Sequence, residues 1–84
     1  MPYKILFCDK IPKHVTAEHL ESIFSAYNGF IEVRYIAEKN VAFIEYLSED
    51  FASYVLQDVK TNNLVSFEDP DTGIKLEARL NFGK

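Results

Sequence analysis

Two phenylalanines, Phe7 and Phe43, stand out in this 84-residue chain because each lies in a short strand-like segment. Successive side chains of a strand point to opposite faces of its sheet. If the segments LFCDKI (6–11) and KNVAFIEY (39–46) pair side by side, both rings fall on the same face. Aromatic rings that a sheet displays to solvent are suited to stacking on unpaired nucleic-acid bases. The spacing therefore favours a surface for single-stranded nucleic acid.

The composition predicts one small folded domain that spans residues 1–84. The chain is 48% hydrophobic and 14% aromatic, which is enough to build a core and argues against disorder. No apolar run approaches the roughly 20 residues of a membrane span, and the first residues do not resemble a secretory signal. The single cysteine, Cys8, excludes an internal disulfide and fits a reducing compartment. We therefore expect a nuclear or cytoplasmic protein that does not contact the membrane.

The charge balance argues against a nucleic-acid-binding surface. Nine Lys and Arg residues against thirteen Asp and Glu residues give a net charge of −4. Because nucleic-acid affinity comes largely from neutralised phosphates, a net acidic domain starts at a disadvantage. A local basic cluster can still bind, so the charge lowers the expected affinity without excluding the function.

The apolar pattern predicts six main elements in the order βαββαβ. Strand-like alternation covers residues 4–11, 30–36, 39–46 and 74–82, and two helical stripes lie between them. This order is typical of the α+β, ferredoxin-like fold, in which two helices cover one face of a four-stranded antiparallel sheet. We expect the first and third strands at the centre of the sheet. A further extended segment, residues 64–67, is joined to the last strand by a loop rich in turn formers.

Both helices have recognisable starts and apolar stripes. Thr16 is the predicted N-cap of the first helix and Ser48 that of the second. Asn28 and Gly29 are predicted to stop the first helix, and residues 61–63 the second. The stripes and the inward strand positions together predict a core centred on Leu20, Phe24, Ile44, Val55 and Leu80.

The two strand segments also resemble a known family. The octamer KNVAFIEY matches the first ribonucleoprotein signature of an RNA-recognition motif (RRM) at Lys39, Ala42, Phe43, Ile44 and Tyr46. It departs at Asn40, where the family has Gly, and at Val41, where an aromatic ring is usual. The hexamer LFCDKI resembles the second signature. The stretches ILFCDKIP, FIEVRYI, VAFIEY and LNFGK are most similar to the C-terminal RRM of the spliceosomal small nuclear ribonucleoprotein A and B-double-prime proteins.

The resemblance implies an RNA-binding module in which the uncovered sheet face carries the site. Phe7 and Phe43 would lie under two successive bases, and Val41 would occupy the position of a third platform. Arg34, Lys39 and Arg79 would contact phosphates or base edges, and Asn81 would read a base edge. Alternation predicts the full uncovered face as Ile5, Phe7, Asp9, Glu32, Arg34, Ile36, Val41, Phe43, Glu45, Glu77, Arg79 and Asn81.

The same residues predict weak binding. Stacking of one base on an aromatic ring is worth about 1–3 kcal/mol, so two rings supply only a few. The predicted face carries four carboxylates (Asp9, Glu32, Glu45 and Glu77) and only two arginines, so its charge repels the RNA backbone. We expect affinity in the micromolar range or poorer, about −8 kcal/mol or weaker.

A second hypothesis is a protein-interaction module on the same scaffold with little or no RNA binding, whose partner, in a ribonucleoprotein complex, uses the uncovered face or the helical side. The net acidity and the apolar residues Ile5, Ile36 and Val41 of the uncovered face favour it. One RRM subclass binds peptides through an acidic first helix and an Arg-any-Phe loop, but the matching loop here, Val65-Ser66-Phe67, lacks the arginine.

Catalysis is not indicated by any residue pattern. Strand alternation turns Cys8 inward, and His14 and His19 have no nucleophile or ligand set beside them in sequence. We expect no enzyme activity, no metal and no cofactor. The resemblance to small nuclear ribonucleoproteins implies a nuclear location and a role in pre-mRNA splicing.

Overall fold

The computed structural model describes residues 4–62 and 64–83 of the chain. The elements run β1 (Ile5–Asp9), α1 (Ala17–Phe24), β2 (Phe30–Ile36), β3 (Val41–Tyr46), α2 (Glu49–Asn62), β4 (Ser66–Glu68), β5 (Lys75–Glu77) and β6 (Arg79–Phe82). A short 3-10 turn, Ala37–Lys39, joins β2 to β3. The order fits the ferredoxin-like βαββαβ fold with a small hairpin, β4–β5, inserted before the last strand.

The main sheet has four antiparallel strands in the order β2-β3-β1-β6, so β1 and β3 are central as predicted. Its register pairs Phe7 with Phe43 and Cys8 with Ala42. Along β1 and β3 buried and partly exposed residues alternate strictly. The buried positions face the two helices, which leaves the other face of the sheet uncovered. The predicted fold class is therefore confirmed.

The core lies between the sheet and the helices. All five residues predicted for its centre are buried, each with no more than 2% of its surface exposed: Leu20, Phe24, Ile44, Val55 and Leu80. Tyr46 is also fully buried, and its hydroxyl donates a hydrogen bond of 2.7 Å to the carbonyl of Phe24. Burial raises the pKa of this phenol above its usual range, so it remains a neutral donor.

The start of α1 follows the predicted capping pattern, and its end comes earlier than the predicted stop at Asn28 and Gly29. The hydroxyl oxygen of Thr16 accepts a hydrogen bond from the backbone N–H of His19 at 3.2 Å. The helix ends at Phe24, and Gly29 turns the chain into β2 with a φ of +80°. At the other helix, α2 continues through Thr61 and Asn62, which were predicted to break it; Asn63 lies outside the described residues.

A bulge at the start of β2 overturns one inward assignment. Because Glu32, Arg34 and Ile36 were predicted on the uncovered face, strict alternation places Ile31 on the helix side of the sheet, together with Val33 and Tyr35. The register instead pairs Phe30 with Tyr46 and Glu32 with Glu45, so Ile31 is the extra residue on its strand. Ile31 is 45% exposed, whereas Phe30 packs against the core with its ring centroid 5.9 Å from that of Tyr46.

The prediction of one long last strand over residues 74–82 is wrong. The chain breaks at Ala78, whose N–H donates a hydrogen bond to the carbonyl of Val65 at 2.9 Å. Lys75–Glu77 pairs with Ser66–Glu68 as a separate hairpin, and only Arg79–Phe82 joins the main sheet. Glu77 is therefore not on the uncovered sheet face. Alternation with Glu77 placed Leu76 on the core side, but Leu76 is 41% exposed.

Candidate nucleic-acid interface

Two phenylalanine rings occupy the middle of the uncovered sheet face. Phe7 and Phe43 are direct register partners on β1 and β3, and their ring centroids lie 5.1 Å apart with planes tilted by 46°. Both are partly exposed, while the neighbouring Leu6 and Cys8 have no exposed surface. The predicted register is confirmed. The pair offers two ring surfaces on the two central strands of the sheet.

The rings belong to a row that crosses all four strands. The register places Asn81 of β6 beside Phe7, Phe7 beside Phe43, and Phe43 beside Arg34 of β2. Neighbouring strands lie about 4.8 Å apart, so the row extends roughly 14 Å across the face. An amide, two rings and a guanidinium in this sequence provide stacking surfaces flanked by hydrogen-bond donors. A single strand with two or three unstacked bases fits this length.

The cations of this face are paired with its carboxylates. Arg79 donates two hydrogen bonds to Asp9, from Nε to Oδ1 at 3.1 Å and from a terminal nitrogen to Oδ2 at 2.7 Å. Arg34 contacts Glu32 at 3.2 Å, and Lys4, just before β1, lies 3.9 Å from Glu45. The sequence predicted all of these charges except Lys4 on one face, and it did not show that they pair. No local signal could have shown the Asp9–Arg79 pair, because 70 positions separate the two residues.

Pairing with Arg79 holds the pKa of the Asp9 carboxyl below its usual range, chiefly through the direct hydrogen bonds. Asp9 is therefore ionised throughout the physiological range, and its charge is offset by the guanidinium beside it. With Glu77 outside the sheet, the three remaining carboxylates of the face each have a cation within 4 Å. The face is less repulsive to phosphate than the sequence predicted, and its arginines are less free.

Lys39 and Val41 lie at the edge of the aromatic row. Lys39 ends the 3-10 turn and is exposed, so it is not part of β3, where the signature octamer had placed it. Asn40 follows with a φ of +56°, in the left-handed region that favours Gly or Asn. This explains why Asn replaces the glycine of the signature. Val41 starts β3 opposite Ile36 and is partly exposed, on the same face as Phe43.

A shallow hollow of about 220 Å³ lies beside the row, lined by Ile5, Glu32, Arg34, Phe43 and Glu45. One wall is the Phe43 ring, and the others combine an aliphatic side chain with both signs of charge. Such a lining suits a flat ring with polar edges better than a purely apolar ligand.

Cys8 lies in the core, and the described residues form no group of metal ligands. Burial raises the pKa of the Cys8 thiol to about 12, which keeps it protonated and unreactive. Among residues 4–62 and 64–83, no three His, Cys, Asp or Glu side chains come together in a group that could hold a metal ion. Within the same residues, neither helix is long and apolar enough to cross a membrane.

Comparison with known proteins identifies the family. The model of the RNA recognition motif matches residues 6–69, which include both signature strands. The chain belongs to this family. The match ends before β5 and β6, in the region where the inserted hairpin lengthens the connection to the last strand.

Curated relatives agree with this assignment. Over 49 residues the chain is 43% identical to the U1 small nuclear ribonucleoprotein usp102 of Schizosaccharomyces pombe, covering 57% of this chain and 20% of the relative. Over 57 residues it is 39% identical to the U2 small nuclear ribonucleoprotein B'' of Arabidopsis thaliana, covering 67% of this chain and 25% of the relative. The predicted resemblance to these ribonucleoproteins is confirmed. The match spans only a quarter or less of their length.

Two solved structures show the same fold over the full length of this chain. The RRM domain of S. pombe Puf1 superposes with a TM-score of 0.71 at 15% identity, covering 100% of this chain and 93% of the Puf1 chain. The C-terminal RRM domain of MEC-8 bound to AGCACA superposes with a TM-score of 0.69 at 22% identity, covering 100% and 94%. At these identities the likeness concerns the fold alone.

Proposed function

We propose that this RRM binds single-stranded RNA through its uncovered sheet face, weakly, as one module of a nuclear ribonucleoprotein that acts in pre-mRNA splicing. The observation that carries the proposal is the Phe7–Phe43 pair at the centre of the face, with centroids 5.1 Å apart. The small nuclear ribonucleoprotein names of the relatives support the assembly and the location. The module works by binding and performs no catalysis.

Each proposed contact follows from its position in the cross-strand row. Phe7 and Phe43 stack on two successive bases, while Asn81 and Arg34 reach base edges or phosphates at the two ends. Lys39 contacts a phosphate from the turn before β3. Arg79 contributes less than a free arginine does, because two of its donors already hold Asp9.

The affinity follows from the same inventory. Two stacked bases supply about 2–6 kcal/mol, and exposed ion pairs on the face must share their cations with phosphate. Val41 offers a small aliphatic surface where a third ring would add a comparable contribution. We expect a Kd in the micromolar range, which corresponds to about −8 kcal/mol. Such affinity suits a module that acts beside other RNA-binding or protein-binding parts of an assembly.

The test is an NMR titration of the domain with a pool of short single-stranded RNAs, followed by affinity measurements on three variants. Phe43→Ala is expected to weaken binding by about 1–3 kcal/mol, because it removes one stacking surface. Val41→Tyr is expected to strengthen binding, because it supplies a third ring. Tyr54→Ala is the matched control: it removes an exposed ring from α2, on the helical side, and is expected to leave RNA affinity unchanged.

The competing function is a protein-interaction module with little RNA binding. It predicts affinity near the non-specific level that neither Phe43→Ala nor Val41→Tyr changes. If both variants bind the pool as the unaltered domain does, the aromatic row is not an RNA platform and the proposal is wrong.

A further inference from the structure

We propose that the helical side of the domain carries a second binding site, a hollow that accepts an arginine side chain from a basic segment of a protein partner. The hollow has a volume of about 330 Å³ and is lined by Asn28, Asp50, Phe51 and Tyr54. It lies between the connection from α1 to β2 and the N-terminal end of α2. The inference does not depend on RNA binding by the sheet.

The walls of the hollow are held in place by the fold. The Phe51 ring lies against Gly29, where a Cβ atom would come within 2.6 Å of the ring. Tyr54 meets Tyr27 edge to face with centroids 6.1 Å apart, and the hydroxyl of Tyr27 donates a 2.6 Å hydrogen bond to Asp58 on α2. These contacts tie the loop after α1 to α2. A ligand therefore meets a preformed site and does not have to order it.

The rim of the hollow exposes apolar surface that the fold does not use. Leu47 is 65% exposed, Tyr54 64% and Phe51 38%. Phe51 and Tyr54 line the hollow together, and Leu47 lies in the adjoining chain, since its N–H donates a 2.8 Å hydrogen bond to the carbonyl of Gly29, against which the Phe51 ring lies. Single exposed apolar residues are ordinary on a protein surface, whereas a group around a concavity is typical of an interaction site.

The charge of the helices selects the partner. The two helices hold five carboxylates and one lysine, which accounts for the whole net charge of −4 of the chain. The carboxylates are Glu18, Glu21, Glu49, Asp50 and Asp58. The rest of the chain is balanced. A basic segment is therefore attracted to this side, and an RNA backbone is repelled from it.

Within the hollow, one carboxylate and one exposed phenol ring are placed for a guanidinium. A planar arginine head group stacks on the face of Tyr54 and pairs with the carboxylate of Asp50, while its aliphatic stem lies along Phe51. No lysine or arginine of the described residues lines the hollow. A lysine ammonium gains less, since it cannot stack as a plane.

The test uses a nine-residue peptide with a central arginine between two leucines and serine elsewhere, titrated into the full chain by NMR. We expect saturable shifts confined to the neighbourhood of Asn28, Phe51 and Tyr54. The matched peptide with citrulline in place of arginine keeps the shape and loses the charge. We expect it to bind about 3- to 10-fold more weakly, as loss of one cation–π contact and one ion pair implies.

Variants locate the effect. Tyr54→Ala and Asp50→Asn are each expected to weaken the arginine peptide by about 3- to 10-fold, and Tyr54→Phe to bind normally because it retains the ring. Glu21→Gln is the control, since it removes one carboxylate of the same side from a different hollow. It is expected to change the affinity by less than about twofold. Thermal melting followed by circular dichroism checks that each variant is folded.

Several results overturn the proposal. One is the absence of saturable shifts, and another is equal binding of the two peptides. If Glu21→Gln lowers the peptide affinity as much as Asp50→Asn does, the peptide binds through the overall negative charge of the helical side and not through the hollow. Shifts at Tyr54 that depend on protein concentration alone show that a second copy of the chain covers the hollow. Shifts at Tyr54 caused by the RNA pool and absent with the peptide assign the hollow to RNA.

Discussion

The two sides of this domain use the same kinds of residue in opposite ways. On the uncovered sheet face the rings of Phe7 and Phe43 contact each other, and every carboxylate of the face lies within 4 Å of a cation. On the helical side an exposed ring, Tyr54, stands beside Asp50 at a hollow, and the carboxylates outnumber the basic residues. Net charge alone would describe both surfaces as acidic, which is correct for the helical side and wrong for the sheet face.

The difference shows that a net charge of −4 does not oppose RNA binding as directly as the composition suggested. The excess negative charge lies on the helices, on the far side of the sheet from the aromatic row. Screening reduces interactions between exposed charges beyond about 10 Å at ordinary salt, so the helical carboxylates act weakly across the domain. The RNA affinity of the sheet face is limited by its own ion pairs. They occupy the cations that a phosphate backbone needs.

Truncation of the core that both sides share is expected to have the largest effect. Phe24 has no exposed surface and packs between α1 and the sheet. Phe24→Ala is expected to lower the free energy of unfolding by about 3–5 kcal/mol, because it removes a large buried ring and leaves a cavity. Chemical denaturation measures it. Ile31→Ala is the control: Ile31 is 45% exposed at the bulge, and its truncation is expected to cost less than about 1 kcal/mol.

A small loss for Phe24→Ala, below about 1 kcal/mol, would show that the helix is oriented differently from the structure. A large loss of stability for Ile31→Ala would show that Ile31 is buried, as strict alternation along β2 predicts, and that the bulge is absent.

Gly29→Ala is expected to have an intermediate effect and to separate the two sides. A methyl group at Gly29 meets the Phe51 ring, and the φ of +80° strains any residue with a Cβ atom. We expect a loss of about 1–3 kcal/mol in the free energy of unfolding. The displaced Phe51 ring should weaken the arginine peptide while RNA affinity stays unchanged. Equal losses for both ligands would show that the two sites are coupled through the fold.

Much of this architecture follows from local patterns, and the exceptions have physical causes. Strict alternation placed Phe7 and Phe43 together, and Thr16 capped the first helix as its side chain predicts. The bulge at Ile31 and the break at Ala78 were missed, because each replaces one strand register by another that is equally compatible with the local sequence. The break removed Glu77 from the face that alternation had assigned to it.

The charges of the candidate site could be placed on a face from the sequence, and their partners could not. Asp9 and Arg79 meet only because β6 lies beside β1 in one particular register. The hollow at Phe51 and Tyr54 likewise needs the loop after α1 to reach α2. The positions of Phe7 and Phe43 are described by the fold, and their role in RNA binding stays a prediction.

The smallest effect is expected at the Asp9–Arg79 pair, which tests whether ion pairs of the sheet face reduce its affinity for RNA. Asp9→Asn keeps the shape of the side chain and removes its charge, so Arg79 can turn to a phosphate. The slope of log affinity against log salt should then steepen by about 0.7, as one added phosphate contact on a single strand implies. Arg79→Ala should leave the slope nearly unchanged in the original background and flatten it in Asp9→Asn.

Protonation of Asp9 at low pH should break the pair with Arg79, as Asp9→Asn does. The folded-state pKa of Asp9 is depressed by Arg79, so the stabilisation is present above the unfolded pKa and is lost as pH falls through the lower, folded value. Asp9→Asn removes that part of the acid sensitivity, which urea denaturation at stepped pH measures below about pH 4. The salt dependence of RNA binding, measured at neutral pH, is not affected by this titration. If Arg79→Ala flattens the slope even in the original background, the guanidinium already contacts phosphate, and the sheet face is more basic towards RNA than its ion pairs indicate.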